Sequence, residues 1–144
     1  MSTKFEDISY DLVDGIFDCL DAKVIYGGTT YPVYKSVPKV APATYVYICN
    51  VVQTEDGSKD YFLYYGTVQI HIIDDSMERG DMKLSQAILN VIRGLLKITK
   101  GSVFALPSHT LCIFKHESFN TILSEGDTGL TKIRLIDMYN FLIQ

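Results

Sequence analysis

The 144-residue chain has no tryptophan, three histidines, three cysteines and four prolines. Each shortage removes a class of explanation. Cys19, Cys49 and Cys112 are odd in number, far apart and set in apolar runs, so buried free thiols in a reducing compartment are expected. A disulfide framework or zinc site is not. No apolar stretch approaches the roughly 20 residues that a membrane-spanning helix needs. The first residues, Met1–Asp7, lack a basic region followed by an apolar one, and no secretory signal is expected. No cluster of lysine or arginine stands out, which argues against a grip on nucleic acid through its phosphates. Motifs for phosphate loops, serine nucleophile elbows, Cys-x-x-Cys pairs and His-Glu-x-x-His metal sites are all missing.

What is present reads as one globular domain over residues 1–144, with 47% hydrophobic and 21% charged residues. The net charge of −4 is unevenly placed. Residues 1–22 hold six acids and one base, and the remainder is close to neutral. In that first segment Phe5, Ile8, Leu12, Ile16 and Cys19/Leu20 recur at helical spacing, which predicts an amphipathic helix over 5–22. Asp7, Asp11, Asp14, Asp18 and Asp21 follow the same rhythm as an acidic stripe. Like charges so spaced cost a helix about 0.2–0.5 kcal/mol per pair, and the last two oppose the helix dipole. The stripe is therefore either a solvated face or a surface that repels a polyanion or meets a basic partner. A metal site at Asp11, Asp14 and Asp18 lacks the loop geometry and further oxygen ligands of calcium sites, so neither metal nor cofactor is expected.

Gly27-Gly28 marks a turn closing this element. Three of the four prolines then pace one extended segment, Tyr31 to Ile48, because each fixes its own φ and biases its predecessor toward extended geometry. Residues 43–52 and 61–74 are strand patterns joined by polar turn residues, which predicts a hairpin. On the second strand Phe62, Tyr64, Val68, Ile70 and Ile72 share a core face, with Tyr61, Tyr65, Thr67, Gln69 and His71 opposite. Asp75 and Glu78 suggest a capping box before a second helix, in which Met82, Leu84, Ile88, Val91/Ile92 and Leu95 repeat through about Ile98. Gly94 costs that helix about 1 kcal/mol against alanine, which a close helix–sheet contact would explain. Two further strands, about 109–123 and 130–143, form a second hairpin, with Ile133, Leu135, Tyr139, Phe141 and Ile143 on one face. The fold class is α+β: a mainly antiparallel sheet of four to five strands with two helices packed on one face.

Catalytic candidates reduce to Cys49 and His71 on neighbouring strands as a nucleophile–base pair. An inert core thiol and an ordinary surface histidine account for them more simply, and no enzyme is expected. Tyrosine is the abundant aromatic, ten residues in all. Seven of them, among them Tyr31, Tyr34, Tyr45, Tyr61 and Tyr65, crowd into the proline arm and first hairpin. β-propensity explains part of this; enrichment of tyrosine at protein interfaces explains the rest.

The order and spacing of these pieces resemble the small tail-completion, or tail-terminator, proteins of long-tailed bacteriophages. The resemblance runs over nearly the whole chain. It takes in the N-terminal helix, the short strand Tyr31-Pro32-Val33-Tyr34, the Val37-Pro38 turn and the proline-led strand Pro42-Ala43-Thr44-Tyr45-Val46-Tyr47-Ile48. It continues through Gln69-Ile70-His71-Ile72-Ile73-Asp74-Asp75 leading into a helix, and a closing hairpin with Leu130-Thr131-Lys132-Ile133-Arg134-Leu135. The longer final strands and tyrosine-rich hairpin depart from the pattern. The resemblance implies a structural virion protein, made in the host cytoplasm, that forms a ring of usually six copies at the head-proximal end of the tail. Its partners would be further copies of itself, the tail-tube protein and the head–tail connector. DNA would pass through without specific binding, and no membrane is involved. On this view Tyr31, Tyr34, Pro38, Pro42, Tyr45, Tyr61 and Tyr65 are candidates for a subunit interface, and Asp7, Asp11, Asp14 and Asp18 for an acidic lining of the lumen. A head-closure or neck adaptor is the neighbouring alternative. A small intracellular enzyme or ligand-binding module using Cys49 and His71 is the alternative of another class.

Overall fold

A computed structural model describes residues 8–57, 62–75, 83–96, 104–125 and 131–144. The elements in chain order are α1 (Ser9–Leu20), β1 (Ile25–Tyr26), β2 (Thr29–Thr30), β3 (Val33–Tyr34), β4 (Thr44–Gly57), β5 (Phe62–Asp74), α2 (Lys83–Leu96), β6 (Leu111–Glu125) and β7 (Thr131–Ile143). Five strands form one sheet in the order β3-β4-β5-β7-β6. All neighbours are antiparallel except β3, which runs parallel to β4 through Val33↔Val46 and Tyr34↔Tyr47. The α+β class and both long hairpins are therefore as the sequence predicts.

The core follows from period-two alternation in the strands and period-3.6 spacing in the helices. Ile8, Leu12, Ile16 and Leu20 of the first helical pattern are fully buried, as are Ile88 and Ile92 of α2. They meet Val46, Ile48, Val68, Ile70, Ile72, Leu135 and Tyr139 from one side of the sheet in a single cluster. Each such aliphatic side chain contributes about 1.5–3 kcal/mol by leaving water. The opposite side of the sheet has no helix over it among the described residues.

Several local expectations change. The first helix is seen from Ser9 to Leu20, and Gln53 of β4 accepts a hydrogen bond from the Ile8 N–H at 3.2 Å. Gly27 and Gly28, at φ +59° and +80°, do not close that helix. They make the two-residue turn of the β1–β2 hairpin, where a positive φ at both positions favours glycine. β4 runs on through Gly57, which moves the hairpin turn past the polar residues 54–56. Gly94 faces open space with nothing within 4 Å of an added Cβ, so no helix–sheet contact requires it. The glycines that do allow close approach are Gly15 and Gly66. A Cβ on Gly15 would lie 2.5 Å from Leu106 Cδ2, and one on Gly66 would lie 1.8 Å from the Val52 carbonyl oxygen. The proposed box partner Glu78 and the helix residue Met82 lie outside the described residues, as do Asp7 and Tyr61. Asp75 itself donates its N–H to the Ala43 carbonyl at 2.7 Å, tying the end of β5 to the end of the proline arm.

The arm has a structural reason. A strand running parallel to its sequence neighbour needs a crossover between them, and residues 35–43 are that crossover. Pro32 begins the pairing by accepting the Val46 N–H at 2.9 Å. Lys35 then fastens the arm to α1, with Nζ 3.0 Å from Asp14 Oδ1 and 4.8 Å above the Phe17 ring.

Candidate assembly surface

Three regions could carry function: the uncovered face of the sheet, its two ends, and the polar groups built into the helix-covered side. On the face with no helix over it among the described residues, β5 places Tyr65, Thr67, Gln69 and His71, and β7 places Arg134, Ile136, Met138, Asn140 and Leu142. Toward the end of β5 this face closes, and His71, 5% exposed beside the buried Ile73, is not the surface histidine expected from the sequence. Tyr65, Leu142 and Ile113 form one cross-strand row, and this corner is a shallow groove of about 510 Å³ that also includes Thr67, Lys115 and Asn140. It is an apolar row with polar rims, a composition suited to contact with another protein surface.

At the other end of the sheet, β3 covers only two residues of β4. In the parallel pairing Val33↔Val46 and Tyr34↔Tyr47 the N–H groups of Val46 and Ile48 both turn toward β3, and it is beyond Ile48 that β4 has no strand on this side among the described residues. A second groove of about 510 Å³ runs along this edge. Ser9, Tyr10, Val13 and Asp14 of α1, Lys35 and Ser36 of the arm, and residues 47–51 of β4 line it. Asn50 has φ +53° within the irregularity between Cys49 and Val52, and this bulge bends the edge.

The polar groups on the helix side act as internal fasteners. Asp137 is buried at a core position of β7. It accepts from Arg93 Nε and Nη2 (3.2 and 2.9 Å), from His116 Nε2 (2.6 Å) and from the Tyr139 hydroxyl. Burial, then the Asp137 carboxylate, pushes the Tyr139 hydroxyl well above its usual range, which keeps its proton available for donation. These contacts tie α2, β6 and β7 together. Asp11 does the same for the segment before β6, accepting from the Ser108 N–H at 3.0 Å and lying 2.9 Å from His109 Nδ1.

The sequence-predicted residues divide accordingly. Of the acidic stripe, Asp11 is committed to residues 108–109, Asp14 pairs with Lys35, and Asp18 is exposed. Among the interface candidates, Tyr31 packs against the core, and Tyr45 is 9% exposed with its ring edge-on to Tyr34 at 5.7 Å. Pro38, Pro42 and Tyr65 stand exposed. Cys49 and His71 lie on the same face of adjacent strands, but their chemistry points away from catalysis. Burial pushes the Cys49 thiol up to about 11, and burial together with Arg134 lowers His71 to about 4. His71 Nε2 lies 2.8 Å from Gln69 Oε1, and Nδ1 lies 3.4 Å from Arg134 Nη1. Arginine only donates, so Nδ1 is the acceptor and Nε2–H donates to Gln69. Both ring nitrogens are thus engaged away from the thiol.

Sequence reasoning missed the Asp137 cluster and the apolar side chains of β6. The cluster had a visible signal, an acid where the alternation Ile133, Leu135, Tyr139 demands an apolar residue. Ile113, Phe119, Ile122 and Leu123 on β6 are 46%, 42%, 44% and 57% exposed. Their exposure follows from β6 being the outermost strand, which the sequence order conceals. No family model matches the sequence, and no curated protein matches it. Among solved structures, a chain of the virion of a native gene transfer agent particle shares the fold. Its TM-score is 0.71 at 15% identity, and the match covers 97% of this chain and 100% of that one.

Proposed function

We propose that this chain is a structural component of a phage-type virion, forming a ring at the head-proximal end of a tail where it ends tube growth and joins the tail to the head connector. The observation that carries the reading is the end-to-end fold match to a chain of a virion particle. It agrees with the resemblance of the helix, proline arm and paired hairpins to tail-completion proteins. A sheet with one uncovered face and grooves near both ends is the form of a subunit meant to meet neighbours. A head-to-tail ring needs two different complementary patches on each copy. The exposed arm prolines Pro38 and Pro42 belong to one such patch, braced by Tyr31, Tyr34 and Tyr45, and Tyr65 belongs to the uncovered face. The acidic side of α1, with Asp14, Asp18 and the anchored Asp11, lines the lumen together with Asp7 of the same sequence stripe, where like charge lets DNA slide.

Native mass spectrometry and negative-stain imaging of the purified protein, with and without tail tubes, test this. Rings that cap the tubes are expected. Persistent monomers in the presence of tubes would refute the reading, and rings that bind the head connector but ignore tubes would make the protein a neck adaptor. A ring structure with none of the four aspartates in its channel would remove the lumen assignment alone.

A further inference from the structure

We infer that copies of this chain join by strand addition, the outer edge of β6 from one copy pairing with the open edge of β4 on the next. This deepens the ring reading and takes from it only that copies assemble head to tail.

The topology leaves both ends of one sheet unfinished. At the β6 end, no strand lies beyond Leu111–Glu125 among the described residues. Exposed edges of this length are usually blunted by bulges or charge, because their free N–H and C=O groups recruit other chains. β6 has irregularities between Leu111 and Ile113 and between His116 and Ser118, but from 118 onward its pairing is regular. That regular stretch carries Phe119, Ile122 and Leu123, apolar side chains its own fold leaves exposed. Ile122, opposite Arg134, extends the uncovered face. Phe119 and Leu123, opposite Asp137 and Ile133, lie on the helix side.

At the β4 end, the groove beside the open edge is walled on the helix side by Tyr10 and Val13 of α1. Tyr10 is 79% exposed, a large aromatic with little to cover it within the chain. A strand laid along β4 gains backbone hydrogen bonds from the edge and side-chain contacts from the adjoining helix, the usual arrangement for strand addition. If that strand is β6 of another copy and the sheet continues in register, its helix-side residues Phe119 and Leu123 fall toward Tyr10 and Val13. Charge follows the same division among the described side chains. The β4 end exposes Asp18, Asp21 and Glu55 against Lys23 and Lys39, a net of −1, with Asp14 and Lys35 paired to each other. The β6 end carries Lys115, with Lys132 and Arg134 beside it on β7, against Glu117, a net of +2. Two unlike edges on one subunit give a heterologous contact, which closes into a ring if the rotation permits.

The test uses two double variants of exposed residues, Phe119→Asp with Leu123→Asp at the β6 edge, and Tyr10→Asp with Val52→Asp at the β4 edge. Far-UV circular dichroism verifies that both fold. Wild-type protein is expected to assemble, and each variant alone is expected to associate at least ~100-fold more weakly and run as a monomer. Mixing the variants leaves one intact edge of each kind, so native mass spectrometry should show a 1:1 heterodimer and nothing larger. Wild-type-like rings from either variant would overturn edge pairing and leave the ring reading standing. A β4-edge variant that dimerises alone, through β6 against β6, would also overturn it. So would wild-type protein that stays monomeric at every soluble concentration, because another protein's strand would then be the occupant. Edge-dependent open chains that never close would uphold the pairing and refute the ring.

Discussion

Replacing Asp137 by alanine should destabilise the fold by about 3–5 kcal/mol, the range for removing one member of a buried ionic cluster. Geometry apportions that loss. The Tyr139 hydroxyl, on a fully buried side chain, loses its acceptor, and an unpaired buried hydroxyl costs about 1–3 kcal/mol. Arg93 loses a bidentate partner, but its side chain is 36% exposed and can turn to water, which limits its share. His116, 34% exposed, is likewise only partly stranded. Against the total stability of roughly 5–15 kcal/mol for a domain, the melting temperature should fall by on the order of 10 °C. Asp137→Asn keeps an acceptor for Tyr139 and gives up the charge, so it should cost about 1–3 kcal/mol. Asp137→Leu combined with Tyr139→Phe removes the orphaned hydroxyl and should recover stability relative to Asp137→Leu alone. Urea denaturation followed by circular dichroism, with unchanged m-values, measures all of these. An Asp137→Ala protein within about 0.5 kcal/mol of wild type would refute the view that this carboxylate fastens α2 to β6 and β7.

Three other outcomes follow from the same geometry. Gly66→Ala drives a methyl group into the Val52 carbonyl at 1.8 Å, so the strands must separate; a loss of about 3 kcal/mol in the same denaturation assay is expected, and an unchanged midpoint would show that the β4–β5 contact yields freely. His71 has its pKa lowered to about 4 in the fold, so the unfolded chain binds the proton first as pH falls. Its contribution is complete above pH 6.5 and is lost as pH falls toward 4, which makes a flatter stability profile across that window the expected result for His71→Gln and neutral imidazole signals in NMR down to about pH 4. Cys112 is exposed, and Cys49 is half-buried with its thiol pushed up to about 11. A thiol reagent at neutral pH should therefore modify Cys112 first and reach Cys49 only on denaturation; equal rates, read by mass spectrometry, would refute the burial argument.

Much of the fold was legible because it rests on local periodicity. Ile8, Leu12, Ile16 and Leu20 could bury together only on a helix, and Tyr64, Val68, Ile70 and Ile72 only on one side of a strand. Patterning of this kind also identified the hairpins and the uncovered, tyrosine-bearing side of the sheet. The proline arm was visible as an extended segment, since proline limits φ wherever it occurs.

Pairing between distant residues was not legible in the same way. The placement of β7 between β5 and β6 depends on which strands find each other across α2, and that alone makes β6 an edge and leaves Phe119 and Leu123 in water. The acidic stripe shows the same division. Composition determined that α1 carries aspartates at helical spacing, because helix geometry needs no partner to set that rhythm. Only tertiary contacts decided that Asp11 serves residues 108–109, that Asp14 holds Lys35 and that Asp18 stays exposed, because a carboxylate's role depends on the donors brought to it from elsewhere in the chain.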